Sequence, residues 1–404
     1  MLKALLLENL HPHASKILAS QGIEVESHSG AMDEDELVAA LDGVNILGIR
    51  SKTHLSRRVL EAGKDLVTVG AFCIGTNQID LHAAAERGIA VFNAPFSNTR
   101  SVVEIAIADI IALKRRLTGL NDDMHRGVWS KSATGSHEVR GLTLGIVGYG
   151  NIGTQLSVLA ENLGLSVVFY DIAEKLALGN ARRASSLDEL LQVSDIVTLH
   201  VDGRASNHNI FGAEQFAKMK PGAMFLNLAR GFVVQVDALA DALRSGHLGG
   251  AAVDVFPVEP KIKGEPFESP LIGLPNVILS PHTAGSTMEA QESIGHFSAN
   301  KIADYLSTGS TTLSVNLPNL ALESTEGVSR LALLHQNTPG VLAKVNNVLA
   351  EHGTNIEGQL LATRGELGYV VTDLGSPVSD AAVAELEAME QTVRLRVLPG
   401  AARD

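Results

Sequence analysis

The fold turns on one stretch: Leu142-Thr143-Leu144-Gly145-Ile146-Val147-Gly148-Tyr149-Gly150-Asn151-Ile152-Gly153. Its apolar first half predicts a strand over 143–147, and the residues after it predict a helix over 152–163. Between them the glycines follow the pattern G-x-G-x-x-G. A strand, a glycine turn and a helix in that order form part of a βαβ unit. Gly148 permits the tight turn, Gly150 lets a ligand approach the backbone, and Gly153 lets helix pack on strand. The N–H groups of Asn151 and Ile152 then face an anion at the helix N-terminus. The next predicted strand, 166–170, ends at Asp171, 23 residues after Gly148. That is near the ~20 expected of the acidic residue that receives ribose hydroxyls in a dinucleotide site. A carboxylate there repels a 2′-phosphate, so the pattern favours NAD over NADP.

The same rhythm extends outward. Strands are predicted upstream at 4–7, 23–26, 45–49 and 67–71, with helices at 14–21 and 34–41. Gly22, Gly43 and Gly88 mark the turns. A long helix is predicted over 101–117, with Ser101 as N-cap and Glu104 completing a capping box. Lys114, Arg115 and Arg116 complement its C-terminal dipole. Downstream strands are predicted at 196–200, 224–227, 251–255 and 277–280, with helices such as 236–243 between them. Six strands in this series suit a doubly wound sheet. Residues 286–306 return to helix. The Ser- and Thr-rich 309–326 reads as a linker, and 328–404 as a separate small βαββαβ unit.

Composition narrows the functions. The chain has 404 residues, 45% hydrophobic and 19% charged, with 32 Lys+Arg against 45 Asp+Glu and a net charge of −13. This balance argues against a nucleic-acid face and an anionic membrane as partners. An anionic substrate then needs a local cationic cluster. Cys73 is the single cysteine, which excludes an internal disulfide and a cysteine-rich metal site. No HExxH pattern occurs, and no metal is expected. The apolar run at 1–7 is followed by Glu8, His11 and His13, and Glu104 and Asp109 interrupt 102–113. Neither stretch reads as a leader or a span, so a cytoplasmic location is expected.

Three chemically apt residues follow predicted strands of the second series: Arg230, Glu259 and His282. Ligands of open α/β sheets bind beyond the carboxyl ends of the strands. An arginine can clamp a carboxylate through two parallel hydrogen bonds. A histidine can take a hydroxyl proton as hydride leaves the same carbon. A glutamate on the other ring nitrogen orients the imidazole and raises its pKa. Each residue alone has a bland reading, as surface histidine, helix cap or loop glutamate. Together, after a dinucleotide fingerprint, they indicate redox chemistry at a hydroxyl-bearing carbon.

Asn227-Leu228-Ala229-Arg230-Gly231, AVDVFPVEP at 252–260 and SPHTAGST at 280–287 resemble the signatures of NAD-dependent D-2-hydroxyacid dehydrogenases over about 1–315. The resemblance implies a Rossmann NAD domain, 98–285, inserted in a flavodoxin-like substrate domain, 1–97 and 286–316, each a doubly wound parallel sheet. A linker at 317–327 would lead to the tail. It also implies that Arg230 orients substrate, that Glu259 partners His282, and that His282 moves the proton. Asn151, Ile152, Asp171, Leu228, Ala229, Arg230, Asp254, His282, Thr283, Ala284 and Gly285 would hold NAD. One departure is visible: Asp202 stands where the family commonly has proline, which puts that loop's shape in doubt.

GIRSKT at 48–53, GAFCIGTNQID at 70–80, VFNAPFSNTRSVV at 91–103 and the segment 126–131 around Trp129 resemble the branch acting on a phosphorylated substrate. Arg50, Ser51 and Lys52 form a cationic, hydroxyl-bearing cluster for a phosphate, with Asn93 and Thr99 as neutral contacts. Lys131 could reach a neighbouring subunit. The implied reaction oxidises 3-phosphoglycerate to 3-phosphohydroxypyruvate, the first step of phosphorylated serine synthesis, with side reduction of 2-oxoglutarate to 2-hydroxyglutarate. The tail, with HQNTPGVL at 335–342 and Gly353-Thr354-Asn355, resembles an ACT domain. It implies L-serine feedback through His335, Asn337 and Asn355, and a homotetramer. The alternatives are another D-2-hydroxyacid dehydrogenase or a corepressor-like, non-enzymatic NAD sensor.

Overall fold

A computed structural model describes residues 1–260, 264–323 and 329–399. The chain divides into two compact units, Met1–Pro95 with the chain from Gln291 onward, and Phe96–Ala290.

The first unit opens with five parallel strands: Lys3–Leu6 (β1), Glu24–Ser27 (β2), Ile46–Ile49 (β3), Thr68–Ala71 (β4) and Ala90–Asn93 (β5). Their order is β2-β1-β3-β4-β5. Strands β3 to β5 are buried at every position, as expected where helices cover both faces of a parallel sheet. Strand β5 is missing from the sequence prediction. Its four residues follow Gly88, whose φ of +66° makes the turn, and show no alternation that would mark a strand.

The second unit holds seven parallel strands: Thr143–Val147 (β6), Ser166–Tyr170 (β7), Arg182–Arg183 (β8), Ile196–Leu199 (β9), Ala223–Asn227 (β10), Leu248–Val253 (β11) and Val277–Leu279 (β12). They run β12-β11-β10-β9-β6-β7-β8, so the order reverses at β6, which carries the glycine turn. The six-strand expectation omits β8, a two-residue edge strand of exposed arginines with no apolar signal.

The long helix also differs from expectation. It spans Thr99–Arg115 with Asn98 at the N-cap, and no side chain caps it. Ser101 instead bonds Thr287 at 2.9 Å, and Glu104 pairs with Arg100 at 2.6 Å, so tertiary and i,i+4 contacts displace the predicted capping box. Lys114 and Arg115 lie in the last turn, where Lys114 is buried. Arg116 ends the helix at φ +52°, and a second helix, Leu117–His125, follows.

The tail forms an antiparallel sheet from Ser329–Gln336 (β13), Ile356–Arg364 (β14), Leu367–Leu374 (β15) and Thr392–Leu398 (β16), in the order β14-β15-β13-β16. Helices Val341–Glu351 and Asp380–Glu387 complete βαββαβ. Alternation along β13 divides its burial. Leu331 and Leu333 join the core under the two helices, while Ala332 and Leu334 join Phe92, Ile302, Tyr305 and Leu317. The tail thus has a core of its own and also packs, through the other face of β13, against the first unit. Arginines reinforce this face. Arg330 donates to the Thr308 carbonyl at 2.8 Å, and Arg396 to those of Tyr305 and Leu306 at 3.1 and 2.9 Å. These carbonyls end helix Met288–Thr308 and lack partners within it. Arg394 reaches the Leu66 carbonyl at 2.6 Å.

The expected linker is anchored as well. Asn316 accepts from Val91 N–H at 2.9 Å and donates to the Ile89 carbonyl at 2.8 Å, and Leu317 is buried. Its side-chain amide thus serves the outer edge of β5, which composition does not reveal. Residues 324–327 of that expected linker lie outside the described residues. Among the described residues, no helix is long and apolar enough to cross a membrane, and no cluster of His, Cys, Asp or Glu could hold a metal ion.

Candidate active site

Gly148 sits at φ +92°, and a Cβ there would lie 2.6 Å from the His200 carbonyl oxygen. A Cβ on Gly153 would strike the Gly148 carbonyl, so helix Asn151–Asn162 reaches the strand only with glycine there. Gly150 has open space around its Cβ position, and no side chain caps this helix. The N–H groups of Asn151 and Ile152 therefore border a cradle that fits a pyrophosphate. Asp171 holds the opposite lip, with Oδ2 accepting from Tyr149 N–H and Oδ1 from Ala173 N–H, each at 2.8 Å. Tyr149 is buried and stacks on Phe169 at 3.8 Å, which fixes the turn from below.

The three chemically apt residues follow three neighbouring strands, β10, β11 and β12. Gly231 makes their approach possible, because any Cβ there would overlap the Phe256 backbone. Arg230 is half-buried, with one guanidinium nitrogen on the Ala229 carbonyl at 2.7 Å. Asn227 stiffens that turn by accepting from Ala229 N–H and donating to the Arg230 carbonyl. Leu228 and Ala229 are themselves buried.

Glu259 Oε1 accepts from Phe256 N–H at 3.0 Å, and its Oε2 lies 2.8 Å from His282 Nδ1. That hydrogen bond raises the His282 pKa, with the charges of Glu259 and Asp254 acting the same way and burial and Arg230 opposing. Burial pushes the Glu259 carboxyl up, but the His282 bond, the Phe256 N–H and the charges of His282 and Arg230 outweigh it and hold it low. The pair thus favours the charged ring more than an isolated imidazole would, and Glu259 engages Nδ1 rather than Nε2.

Asp254 builds the loop under that histidine. Its Oδ1 accepts from Ser280 Oγ at 2.6 Å and Thr283 N–H at 2.8 Å, its Oδ2 from Ala284 N–H at 2.9 Å, and its carbonyl from His282 N–H at 2.8 Å. These bonds hold His282 at φ +55°, a left-handed conformation that costs a non-glycine residue about 1–2 kcal/mol. Gly285 packs against the Asn98 side chain, where a Cβ would collide. Asn98 Oδ1 is buried without a hydrogen-bond partner. Sequence reasoning passed over Asn98 and Ser280, whose contacts join distant segments. Asp109 is a third omission. Burial and the Asp254 charge push its carboxyl up to about 7.

The loop at Asp202 is held by a polar clasp. Its carboxylate accepts from the Arg204 guanidinium at 2.5–3.0 Å and from the Asn207 amide at 3.0 Å.

In the first unit, Arg50 is half-buried, Ser51 and Lys52 are exposed, and Thr53 is buried. Asn93 is buried and donates to the Ile74 carbonyl at 2.6 Å. In the second unit, Thr99 is buried with its hydroxyl unpartnered. Trp129 is 77% exposed beside Leu120, Met124 and Lys131.

The tail residues are not gathered in one place. His335 is buried, with Nδ1 on the Gln336 carbonyl at 2.8 Å and Nε2 buried without a partner. Its ring lies against Gly368, where a Cβ would collide. Asn337 is exposed at the same end of the sheet. Asn355 is exposed before Ile356, which pairs with Leu374 and through it aligns with Ser329. The start of β13 is seven residues from His335's end of it, so Asn355 and His335 stand roughly 20 Å apart. Within one chain these three residues therefore do not surround a single amino acid.

Residues 107–284 match the NAD-binding domain model of D-isomer specific 2-hydroxyacid dehydrogenases, and 331–394 match an ACT domain model of the acetohydroxyacid synthase small-subunit type. The D-lactate dehydrogenase of Aquifex aeolicus, solved with NAD and lactic acid, superposes with a TM-score of 0.67 at 26% identity, over 75% of this chain and 95% of that one. A glycine cradle with Asp171 at its lip, and the Glu259–His282 couple near Arg230, make this an NAD-dependent dehydrogenase of D-2-hydroxy acids. D-3-phosphoglycerate dehydrogenase of Haemophilus influenzae is 50% identical over 98% of this chain and 97% of its own, and that of Escherichia coli K12 48% identical over the same shares. The chain belongs to the D-3-phosphoglycerate dehydrogenase family.

Proposed function

We propose that the protein oxidises 3-phosphoglycerate to 3-phosphohydroxypyruvate with NAD, the entry step of phosphorylated serine synthesis. The observation that carries this reading is the 2.8 Å Glu259–His282 contact within the field of Arg230. Bound NAD supplies the hydride acceptor. Arg230 clamps the substrate carboxylate and polarises the neighbouring C–O bond. His282 Nε2 takes the hydroxyl proton as the C2 hydrogen leaves as hydride and the carbonyl forms. Glu259 stabilises the imidazolium and keeps the ring in place. The proton and hydride retrace these paths in reduction, which suits a side reduction of 2-oxoglutarate to 2-hydroxyglutarate.

Asn151, Ile152 and the backbone of Gly148 to Gly153 bind the pyrophosphate, and Asp171 the ribose. Leu228, Ala229, Asp254 and Thr283 to Gly285 would also hold the cofactor. In the first unit, Arg50, Ser51 and Lys52 take the substrate phosphate, with Asn93 as a neutral contact. Turnover read as NADH absorbance across 3-phosphoglycerate, D-glycerate, D-lactate and 2-hydroxyglutarate tests the assignment. Highest kcat/KM for the phosphorylated acid is expected, and a preference for an unphosphorylated one refutes it.

The tail is the sensor for L-serine as feedback inhibitor. The separation of His335 and Asn337 from Asn355 supports a site completed by a second copy. Two-fold pairing of tails would bring one copy's His335 end to the other's Asn355. Tail pairing and a second contact through the catalytic portion would give a homotetramer, with its activity in the cytoplasm.

A further inference from the structure

The loop carrying Arg50, Ser51 and Lys52 is held by a buried glutamate. Glu8 is only 8% exposed and sits at φ +64°, a left-handed conformation that side chains other than glycine rarely adopt. Its N–H donates to the Gly30 carbonyl at 2.9 Å, which sets that conformation. From there its carboxylate turns onto the loop. Oε1 accepts from Arg50 N–H at 3.1 Å and Thr53 N–H at 2.9 Å, and Oε2 from Lys52 N–H at 3.0 Å. Gln78, also buried, holds the other side by donating to the Arg50 carbonyl at 2.6 Å. Both peptide groups of Arg50 are thus fixed.

Converging backbone N–H groups form a nest that attracts anions. Here an internal carboxylate fills the nest, so an incoming anion meets the Arg50, Ser51 and Lys52 side chains rather than the peptide backbone. Three charge-assisted bonds to a buried carboxylate also make the loop stiff before any substrate arrives. Stiffness matters for a bidentate arginine, because its hydrogen bonds to phosphate fail with small misplacement.

We propose that Glu8 is a positioning residue for the phosphate-binding loop and sets the enzyme's preference for a phosphorylated over a plain hydroxy acid. This rests on the assignment of Arg50, Ser51 and Lys52 to the substrate phosphate. Glu8→Gln keeps the size of the side chain but turns an amide N–H₂ toward backbone donors. In the full-length enzyme it is expected to raise KM for 3-phosphoglycerate about tenfold, equivalent to about 1.4 kcal/mol. KM for NAD and turnover at saturation should stay within about twofold, and KM for D-glycerate should be unchanged. Inorganic phosphate as a competitive inhibitor should weaken in proportion. A uniform loss over phosphorylated and plain substrates, or an unchanged KM for 3-phosphoglycerate, overturns the proposal.

Should Glu8→Gln not fold, Gln78→Leu releases the other side of Arg50. It should raise KM for the phosphorylated substrate selectively by about threefold, and no selective change counts against the proposal. Arg50→Ala separates the two ideas. If it leaves KM for 3-phosphoglycerate unchanged, the phosphate assignment itself fails. If it raises KM while neither Glu8→Gln nor Gln78→Leu does, only the role of Glu8 fails.

Discussion

The two groups of residues proposed to handle ligands are built on opposite plans. Arg230, Glu259 and His282 follow neighbouring parallel strands and face one another within a single chain. His335 and Asn337 stand at one end of an antiparallel sheet and Asn355 at the other. Parallel strands all deliver their carboxyl ends to the same edge, so successive loops converge. In the tail, β13 and β14 both run antiparallel to β15 and so parallel to each other, which puts residues at the end of β13 and the residue before β14 at opposite edges. The proposed chemistry at the first three residues therefore draws on one chain, whereas the proposed sensing by the second three would need two.

The largest expected effect tests the first half of that contrast. His282→Ala should lower turnover by about 10³-fold while NAD binding, read by fluorescence titration, is retained, because general-base catalysis contributes ~10²–10⁴. Loss of NAD binding to the same extent would mean that the residue serves the cofactor site instead. Glu259→Gln should cost about 10–100-fold in turnover. It should also move the pH profile. Oxidation needs a neutral imidazole, so its rate rises with pH through the His282 pKa, which Glu259 holds above the ordinary value. Removing that charge shifts the rising limb toward lower pH, and a limb that stays in place would break the pairing.

The proposed sensor gives a smaller but more discriminating test. His335→Ala and Asn355→Ala should each raise the half-inhibitory serine concentration about tenfold or more with turnover intact. Mixing the two variants after dissociation and reassembly should restore high-affinity inhibition in part of the population, because some paired tails then carry one intact site. If mixing restores nothing, the site does not span two copies. The smallest effect is expected at Asp202. Its clasp to Arg204 and Asn207 is solvent-exposed, and such pairs contribute little. Asp202→Pro should change KM for NAD by less than about fivefold.

What was legible in the sequence follows the range of the interactions. The glycine turn and the placement of Asp171 beside it could be read directly because they depend on a short segment and its regular spacing. The helix start at Thr99 could not, because Ser101 is drawn to Thr287, 186 residues away. Glu8 was seen only as a polar interruption of an apolar run, since its partners lie more than 40 residues on. The tail's βαββαβ order was readable, but its attachment was not. Alternation in β13 shows that both faces are apolar without showing what covers each.

The side-chain bonds of Asn316 to the β5 backbone carry a consequence for the order of assembly. Val91 and its partner are 225 residues apart, with the whole second unit encoded between them. At ~5–20 residues per second, synthesis of that interval takes roughly 10–45 s. During this time the nascent first sheet must wait on the ribosome with its β5 edge uncovered. The inserted unit has all its strands in hand before the first unit can close, so the dehydrogenase is expected to fold from its middle outward.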